Sequence, residues 1–252
     1  MRTLRYFALP ILLLAAWWWI TRDGRIPAIL LPSPSAVLTA AEELMTSGEW
    51  FRHVGVSLLR VFSGYAAASA AALSMAALLA RSPRMEAGAH VLLESLRVVP
   101  PLSLIPLLIL WLGIDEAPKL AIVVLASFFP IYLSTISALK WADQRYGELA
   151  AYLQLTPVER LRHVLLPGAA PQILTGLRLG FGYAWRALVG AELIAAGSGL
   201  GYLIEDAGAL ARTDVVIVGI LTIAVLGVAL DALYKRLIER LVPWTKTRGE
   251  SR

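Results

Sequence analysis

Residues 118–139 read PKLAIVVLASFFPIYLSTISAL, a run of 22 residues with a single charged side chain, Lys119. A helix that crosses the hydrocarbon core of a bilayer needs roughly 20 mostly apolar residues. The run is therefore long enough and apolar enough to span a membrane. The rest of the chain has the same character, since 58% of its 252 residues are hydrophobic and only 16% are charged, with a mean hydropathy of +0.68. This composition is typical of integral membrane proteins.

Five further apolar runs predict additional spans. All six runs are 4–20, 55–80, 89–112, 118–139, 172–195 and 214–234. The polar loops between them leave no room for a separate aqueous domain, so we expect residues 1–252 to form a single membrane domain. The N-terminal run resembles a secretory signal, but bulky Trp17, Trp18 and Trp19 stand where cleavage needs small residues, which favours a retained first helix.

The Lys and Arg residues are unevenly distributed between the loops. The N-terminus and segments 81–88, 140–171 and 235–252 contain 14 of them, whereas segments 21–54, 113–119 and 196–213 contain five. Because the excess of basic residues lies on the cytoplasmic side of membrane proteins, we expect both termini to face the cytoplasm. The net charge of +5 is dispersed between apolar spans, so nucleic acid is not an expected partner, whereas membrane lipid is.

Segment 140–171, between the fourth and fifth predicted spans, contains two amphipathic helical patterns. The two apolar stripes are Tyr146, Leu149, Ala150 and Leu153, and Val158, Leu161 and Leu165. The second helix opens with Thr156-Pro157-Val158-Glu159, a capping box with proline at the first helical position, and is expected to end at Pro167-Gly168. Apolar helix faces outside the membrane must be buried against something. They either dock in a groove on a soluble partner or pack on the inner ends of the spans and in the headgroup layer.

This loop resembles the signature of the inner-membrane permeases of ATP-binding-cassette (ABC) importers, which reads Glu-Ala-Ala, three residues, Gly, nine residues and Ile-x-Leu-Pro. The matching positions are Glu148, Leu149, Ala150, Gln154, Val164, Leu166 and Pro167. Leu149 replaces an alanine and Gln154 replaces the glycine. A glycine would serve a left-handed turn there, so we expect the turn in this chain to be shaped differently.

Within that family the chain is most similar to the sulfonate, nitrate and taurine permeases, over about residues 30–240. The supporting motifs are LPSPS (31–35), SLLRV (57–61), PLLILWLGI (106–114), FFPIY (128–132), AELI (191–194) and GLGY (199–202). The resemblance implies an all-α integral membrane protein of about six transmembrane helices, with a cytoplasmic two-helix coupling loop between spans 4 and 5. It implies a multi-pass protein of the bacterial inner membrane that moves a small anionic solute by alternating access.

The resemblance also implies partners. These are a pair of cytoplasmic ATPase subunits that bind and hydrolyse ATP-Mg, an extracytoplasmic solute-binding protein, and a second permease copy, expected as a homodimer. The implied coupling residues are Glu148, Leu149, Ala150, Ala151, Gln154, Thr156, Glu159, Val164, Leu166 and Pro167.

No enzymatic site is expected in this chain. It has no cysteine and no Gly-x-x-x-x-Gly-Lys-Ser/Thr loop. His53, His90 and His163 lack the spacing of metal ligands, so we expect solvated or interfacial histidines, no metal site and no cofactor bound by this chain.

Ionisable side chains inside the predicted spans are the candidates for the substrate pathway. Glu94 and Arg97 are three residues apart and are expected to pair. Arg186 lies midway along the fifth span, and Glu192, six residues on, lies on another face. Arg186 on a water-filled path would favour an anionic solute, while a salt bridge to another span is the alternative.

Arg60 and Arg178 lie near span ends, where reaching to lipid headgroups is expected. The charges also suit a second function, a transporter or channel driven by an ion gradient and using Glu94, Glu192 or Arg186. That interpretation leaves the capped loop helices unexplained.

Overall fold

Ten α-helices follow one another along residues 2–23 and 26–245, the part of the chain that the computed structural model describes. They are α1 (Arg2–Arg22), α2 (Pro34–Thr46), α3 (Glu49–Leu79), α4 (Pro83–Val98), α5 (Ile105–Leu112), α6 (Glu116–Tyr152), α7 (Pro157–Arg160), α8 (Leu166–Ala195), α9 (Leu200–Ala209) and α10 (Thr213–Leu241). A 3-10 turn at Pro101–Leu104, a second at Pro243–Thr245 and a π-helical turn at Leu161–Leu165 complete them. No strand occurs in this part, which confirms the all-α class.

Three helices, α3, α6 and α10, are individually long and apolar enough to cross a membrane. Two bent pairs pass the same test together, so the described residues contain up to five spans. The first helix contributes a shorter apolar stretch, Leu9–Arg22. Six spans therefore remain a prediction. Residues 246–252 carry part of the charge used to predict the orientation, and they lie outside the described residues.

The predicted third span, 89–112, is broken in the structure. Segments Arg84–Val98 and Pro101–Leu112 meet at an angle of 85°. The reason is local: a residue that precedes a proline avoids the helical region, and both Val99 and Pro100 are extended, with ψ of 120° and 123°. The prolines therefore turn one apolar run into two short helices.

The chain forms two compact units. The first consists of Met1–Leu58 and Glu192–Val225, and the second of Leu59–Ala191 and Leu226–Arg252. In the first unit, α2 packs on α9 and α10. The buried side chains of this cluster are Val37, Ala40, Leu44, Leu203, Ala207, Val215 and Val218.

Close helix packing in the second unit depends on glycine. A Cβ atom at Gly180 of α8 would lie 2.5 Å from Cγ1 of Ile131 in α6. One at Gly64 of α3 would lie 2.8 Å from Cγ1 of Val123. Small residues let helix backbones approach closely in lipid, where dispersion contacts and hydrogen bonds drive helix association. This packing places α6 beside both α3 and α8.

Candidate substrate pathway and loop hairpin

The predicted loop forms a hairpin, here called the loop hairpin (residues 138–173). Each of its two arms is the end of a long apolar helix and not a separate short helix. Its first arm is the end of α6, which runs without a break to Tyr152. Its second arm passes from α7 through the π-helical turn into α8, so the expected helix end at Pro167-Gly168 is wrong. Pro167 lacks an N–H, and just before it the N–H of Leu166 reaches five residues back to Leu161 O. The wider turn lets the helix continue past the proline.

The turn between the two arms is left-handed at Gln154, with φ of 50°. The N–H of Gln154 donates to Ala151 O (3.0 Å) and the N–H of Leu155 to Ala150 O (3.1 Å). These two bonds define a Schellman motif, which usually has glycine at this position. The expectation of a differently shaped turn is therefore corrected. The motif uses backbone bonds alone, so glutamine can occupy the position at a cost in backbone free energy.

The second arm starts with the predicted capping box, which the structure confirms. Thr156 Oγ1 accepts from the N–H of Glu159 (3.3 Å), and Glu159 Oε2 accepts from the N–H (2.9 Å) and the hydroxyl (2.7 Å) of Thr156. The hydrogen bonds from Thr156 hold the pKa of the exposed Glu159 carboxyl below its usual range. The box satisfies backbone donors that the first helical turn leaves unpaired.

The two arms pack through small residues. Ala142 and Ala169 are fully buried, and a Cβ atom at Gly168 would lie 3.2 Å from the ring of Tyr146. A salt bridge between Arg160 and Asp143 joins the arms. The hairpin therefore has its own small core.

Each predicted apolar stripe is divided between this core and the surface. Ala150 is buried, and Tyr146 and Leu165 are half-buried. Five exposed apolar side chains lie on either side of the turn and are here called the apolar tip: Leu149, Tyr152, Leu153, Val158 and Leu161. Of the other proposed coupling residues, Val164 is half-buried, and Glu148, Ala151, Gln154, Thr156, Glu159, Leu166 and Pro167 are exposed.

A cavity of about 580 Å³ lies in the second unit, between the bend after α4 and helices α6 and α8. Its apolar walls include Leu102, Leu125, Phe129, Leu133 and Leu179. The charged side chains among its lining residues are Arg97 and Arg186, and no carboxylate of the described residues lines it. Ligand cavities in proteins have volumes of roughly 300–1,000 Å³ and few polar groups, so this one suits a small organic solute.

The two arginines differ in their partners. Arg97 donates to Glu94 Oε2 from Nη2 (2.5 Å) and Nε (3.2 Å), which confirms the predicted pair. Arg186 is exposed, and its Cζ lies 5.0 Å from the ring centroid of Tyr183. Within residues 2–23 and 26–245 its guanidinium makes no salt bridge. An anion entering the cavity would therefore find the donors of Arg186 available.

Glu192 is not among the cavity lining residues and is only 1% exposed, in a polar cluster of the first unit. The hydroxyl of Ser57 lies 2.9 and 2.8 Å from its two carboxylate oxygens, so the hydroxyl can donate to either one. Glu192 Oε2 also accepts from the N–H of Gly201 (3.0 Å). Glu192 therefore holds Ser57 and the start of α9 together. Its role in the substrate pathway stays a prediction.

The same cluster caps α9. Ser57 Oγ accepts from the N–H of Leu200 (2.8 Å), and His53 Nδ1 accepts from the N–H of Gly199 (3.0 Å). Backbone donors at a helix N-terminus need such partners when they are buried. His53 is 2% exposed, so its expected solvated or interfacial position is wrong. Neither His53 nor Ser57 is recognisable from the sequence as a helix cap.

Carboxylates pair with both arginines that the sequence places near span ends. Arg60 is 5% exposed, and Glu116 accepts from its Nε (2.5 Å) and Nη2 (2.6 Å), with Lys119 Nζ 3.0 Å from the same carboxylate. Arg178 forms a similar two-point contact with Asp231, at 2.7 and 2.6 Å. Paired guanidinium and carboxylate groups satisfy each other, so buried Arg60 does not reach the headgroups and that prediction is wrong. The Arg178 and Asp231 side chains are more exposed, and the headgroup contact of Arg178 stays a prediction.

Comparison with solved structures agrees with this fold. The crystal structure of an amino acid ABC transporter with histidines matches with a TM-score of 0.64 and 15% sequence identity, covering 81% of this chain and 97% of that one. An identity this low supports the likeness of fold alone.

Sequence comparison gives nearer relatives. SsuC of Bacillus subtilis, named for aliphatic sulfonates transport, is 36% identical over 94% of this chain and 86% of its own. The taurine transport system permease protein TauC of Escherichia coli is also 36% identical, over 92% of this chain and 86% of its own. The nitrate import permease protein NrtB of Synechocystis is 28% identical, over 94% of this chain and 88% of its own.

Residues 64–243 match the family described as the inner membrane component of binding-protein-dependent transport systems. The match confirms the resemblance seen in the sequence. It supports the importer interpretation over a transporter or channel driven by an ion gradient. This chain belongs to the family of inner membrane components of binding-protein-dependent transport systems.

Proposed function

We propose that this chain is the permease subunit of an ATP-driven importer in a bacterial inner membrane and that it moves a small anionic solute by alternating access. Two copies of the chain form the path. A pair of cytoplasmic ATPase subunits binds and hydrolyses ATP-Mg, and an extracytoplasmic protein delivers the solute. Both termini face the cytoplasm, which places the loop hairpin on the ATPase side.

The observation that carries the choice of solute is the available guanidinium of Arg186 in an apolar cavity to which the described residues contribute no carboxylate. A guanidinium binds a planar or tetrahedral oxyanion through parallel N–H donors, and it remains charged at any physiological pH. The relatives named above are described as permeases for sulfonates, taurine and nitrate, which all present an oxyanion group. The chemistry of the cavity and these names favour the same class of solute.

Arg97 has a different part in this proposal. Its pairing with Glu94 fixes the guanidinium at the bend after α4 and lowers the net charge there. A path that held its anion too tightly would not release it, because transport needs binding strong enough for entry and weak enough for exit. With Arg186 available and Arg97 neutralised by Glu94, the cavity binds an anion strongly enough for entry and weakly enough for release. Glu192 is proposed to support the path indirectly, by fixing the start of α9.

Docking of the ATPase is proposed to use the apolar tip of the loop hairpin. Val158 and Tyr152 are 73% and 85% exposed. Both lie on amphipathic helices, so an apolar face is left open to a partner. An amphipathic helix that lays its apolar face in a groove is a common mode of recognition. Since both arms continue into α6 and α8, movement at the tip is transmitted directly to the two helices that line the cavity.

Reconstitution tests the function. The full chain, its ATPase subunit and its solute-binding protein are placed in lipid vesicles with taurine, an alkanesulfonate or nitrate outside. We expect uptake of the solute that requires ATP-Mg on the ATPase side and that continues when proton and sodium gradients are dissipated.

The contradicting result is uptake of the solute by vesicles that contain this chain without the ATPase subunit and that are driven by an ion gradient. That result would overturn the proposal.

A further inference from the structure

The left-handed turn of the loop hairpin carries a conformational cost that no side-chain hydrogen bond of Gln154 within the described part of the chain offsets. Gln154 has φ of 50°, a conformation in which glycine is free of the clash that any Cβ atom introduces. The side chain of Gln154 is exposed, and its amide makes no hydrogen bond to any residue within 2–23 and 26–245. The two bonds that close the turn come from the backbone and would be kept by glycine.

The position of this amide suggests a use for it. Gln154 directly follows Leu153 and lies between the two halves of the apolar tip, Leu149 to Leu153 and Val158 to Leu161. A polar group in an otherwise apolar contact rejects partners that lack a matching donor or acceptor, because such a partner leaves the amide buried and unpaired. Glycine would form the same turn without this strain, so the glutamine side chain is expected to have a function outside the fold, in the complex with the ATPase subunit.

We propose that the Gln154 side chain is a partner-selecting contact, hydrogen-bonded by the ATPase subunit that docks on the apolar tip. The inference rests on the proposed docking. Gln154 provides choice between ATPase subunits, while the apolar side chains around it provide most of the binding.

The test compares Gln154→Gly with Ala211→Gly in the full-length chain. Ala211, just after α9, lies in the same left-handed turn, with φ of 57°; the turn is closed by bonds from the N–H of Ala211 to Gly208 O and from the N–H of Arg212 to Ala207 O. Both substitutions relieve the same strain and should raise the thermal midpoint, but only the first removes an amide from the tip. We expect Gln154→Gly to weaken association with the chain's own ATPase subunit about three- to tenfold, the range that the loss of one neutral hydrogen bond produces. Ala211→Gly should leave association unchanged.

A third variant, Gln154→Asn, keeps an amide and tolerates the left-handed turn. It should retain more ATPase association than Gln154→Gly. A fourth, Val158→Asp, places a charge in the apolar tip itself. If Gln154→Gly binds the ATPase as tightly as the unaltered chain while Val158→Asp does not, the selecting role of Gln154 is refuted and the docking surface stands. If Val158→Asp also binds normally, the docking proposal is itself refuted.

Discussion

The guanidinium of Arg186 lies over the ring of Tyr183, 5.0 Å from its centroid, on the wall of a mostly apolar cavity. The two residues are three apart on α8, so they occupy the same helix face. A ring face attracts a cation weakly, by about 0.5–1 kcal/mol at exposed sites. That contact holds the guanidinium in place but leaves its N–H donors available to an anion.

Removing this guanidinium should reduce transport without affecting assembly. Hydrogen bonds to a charged group contribute about 1.5–3 kcal/mol each, so Arg186→Gln should lower uptake of the anionic solute at least about tenfold. The measurement is ATP-dependent uptake in vesicles, with co-purification of the ATPase as the check on assembly. Tyr183→Phe is the matched control, because it keeps the ring beneath the guanidinium. Normal uptake by a well-assembled Arg186→Gln protein would remove this residue from the pathway.

A second prediction concerns Gly199, the residue directly before α9. Its φ is +115°, and any Cβ atom there would collide with the carboxylate of Glu192. Backbone strain of this kind costs about 1–3 kcal/mol, and the collision adds to it. Gly199→Ala should therefore lower the midpoint of thermal unfolding in detergent by several degrees.

Gly197 is the matched control, since it lies two residues earlier in the same loop and a Cβ atom there meets nothing within 4 Å. Gly197→Ala should unfold close to the unaltered protein. Equal effects of the two alanines would mean that the Glu192 contact does not constrain the loop.

Features built from neighbouring residues could be predicted from the sequence. The capping box joins Thr156 to Glu159, three residues away, and the Glu94 and Arg97 pair has the same spacing. Both follow from helix geometry alone. The membrane character of the long helices followed from the apolar runs in the same way.

Features that depend on tertiary packing could not be predicted. Ser57 and Glu192 are 135 residues apart, and His53 and Gly199 are 146 apart. A single sequence contains no signal that joins such positions. The sequence therefore predicts headgroup contact for Arg60, because its carboxylate partner, Glu116, is 56 residues away. The continuation of α8 past Pro167 was also missed, because a π-helical turn has no simple sequence pattern.

Loss of the Ser57 hydroxyl should destabilise the start of α9. The hydroxyl accepts from the N–H of Leu200 and lies within hydrogen-bond distance of Glu192, so Ser57→Ala leaves buried polar groups with fewer partners. An unsatisfied buried group costs about 1–3 kcal/mol, which predicts a clear fall in the thermal midpoint. Thr135→Val is the contrasting variant, because the buried Thr135 hydroxyl has no hydrogen-bond partner within residues 2–23 and 26–245. It should be neutral or slightly stabilising, and a loss as large as that of Ser57→Ala would contradict the assignment.

The close approach of α6 and α8 should fail when Gly180 gains a methyl group. A Cβ atom there would lie 2.5 Å from Ile131 Cγ1, and Ile131 is fully buried, so the neighbouring side chain has no space to move into. Overpacking of this kind costs about 1–3 kcal/mol. We expect Gly180→Ala to lower the thermal midpoint, and to lower it less in a background that already carries Ile131→Ala, measured as a double-mutant cycle. Gly182→Ala, two residues along α8 and with only an ordinary contact at 3.6 Å, should gain the helix propensity of alanine without a clash. Independent, additive effects of the changes at Gly180 and Ile131 would show that the two helices do not meet at these residues.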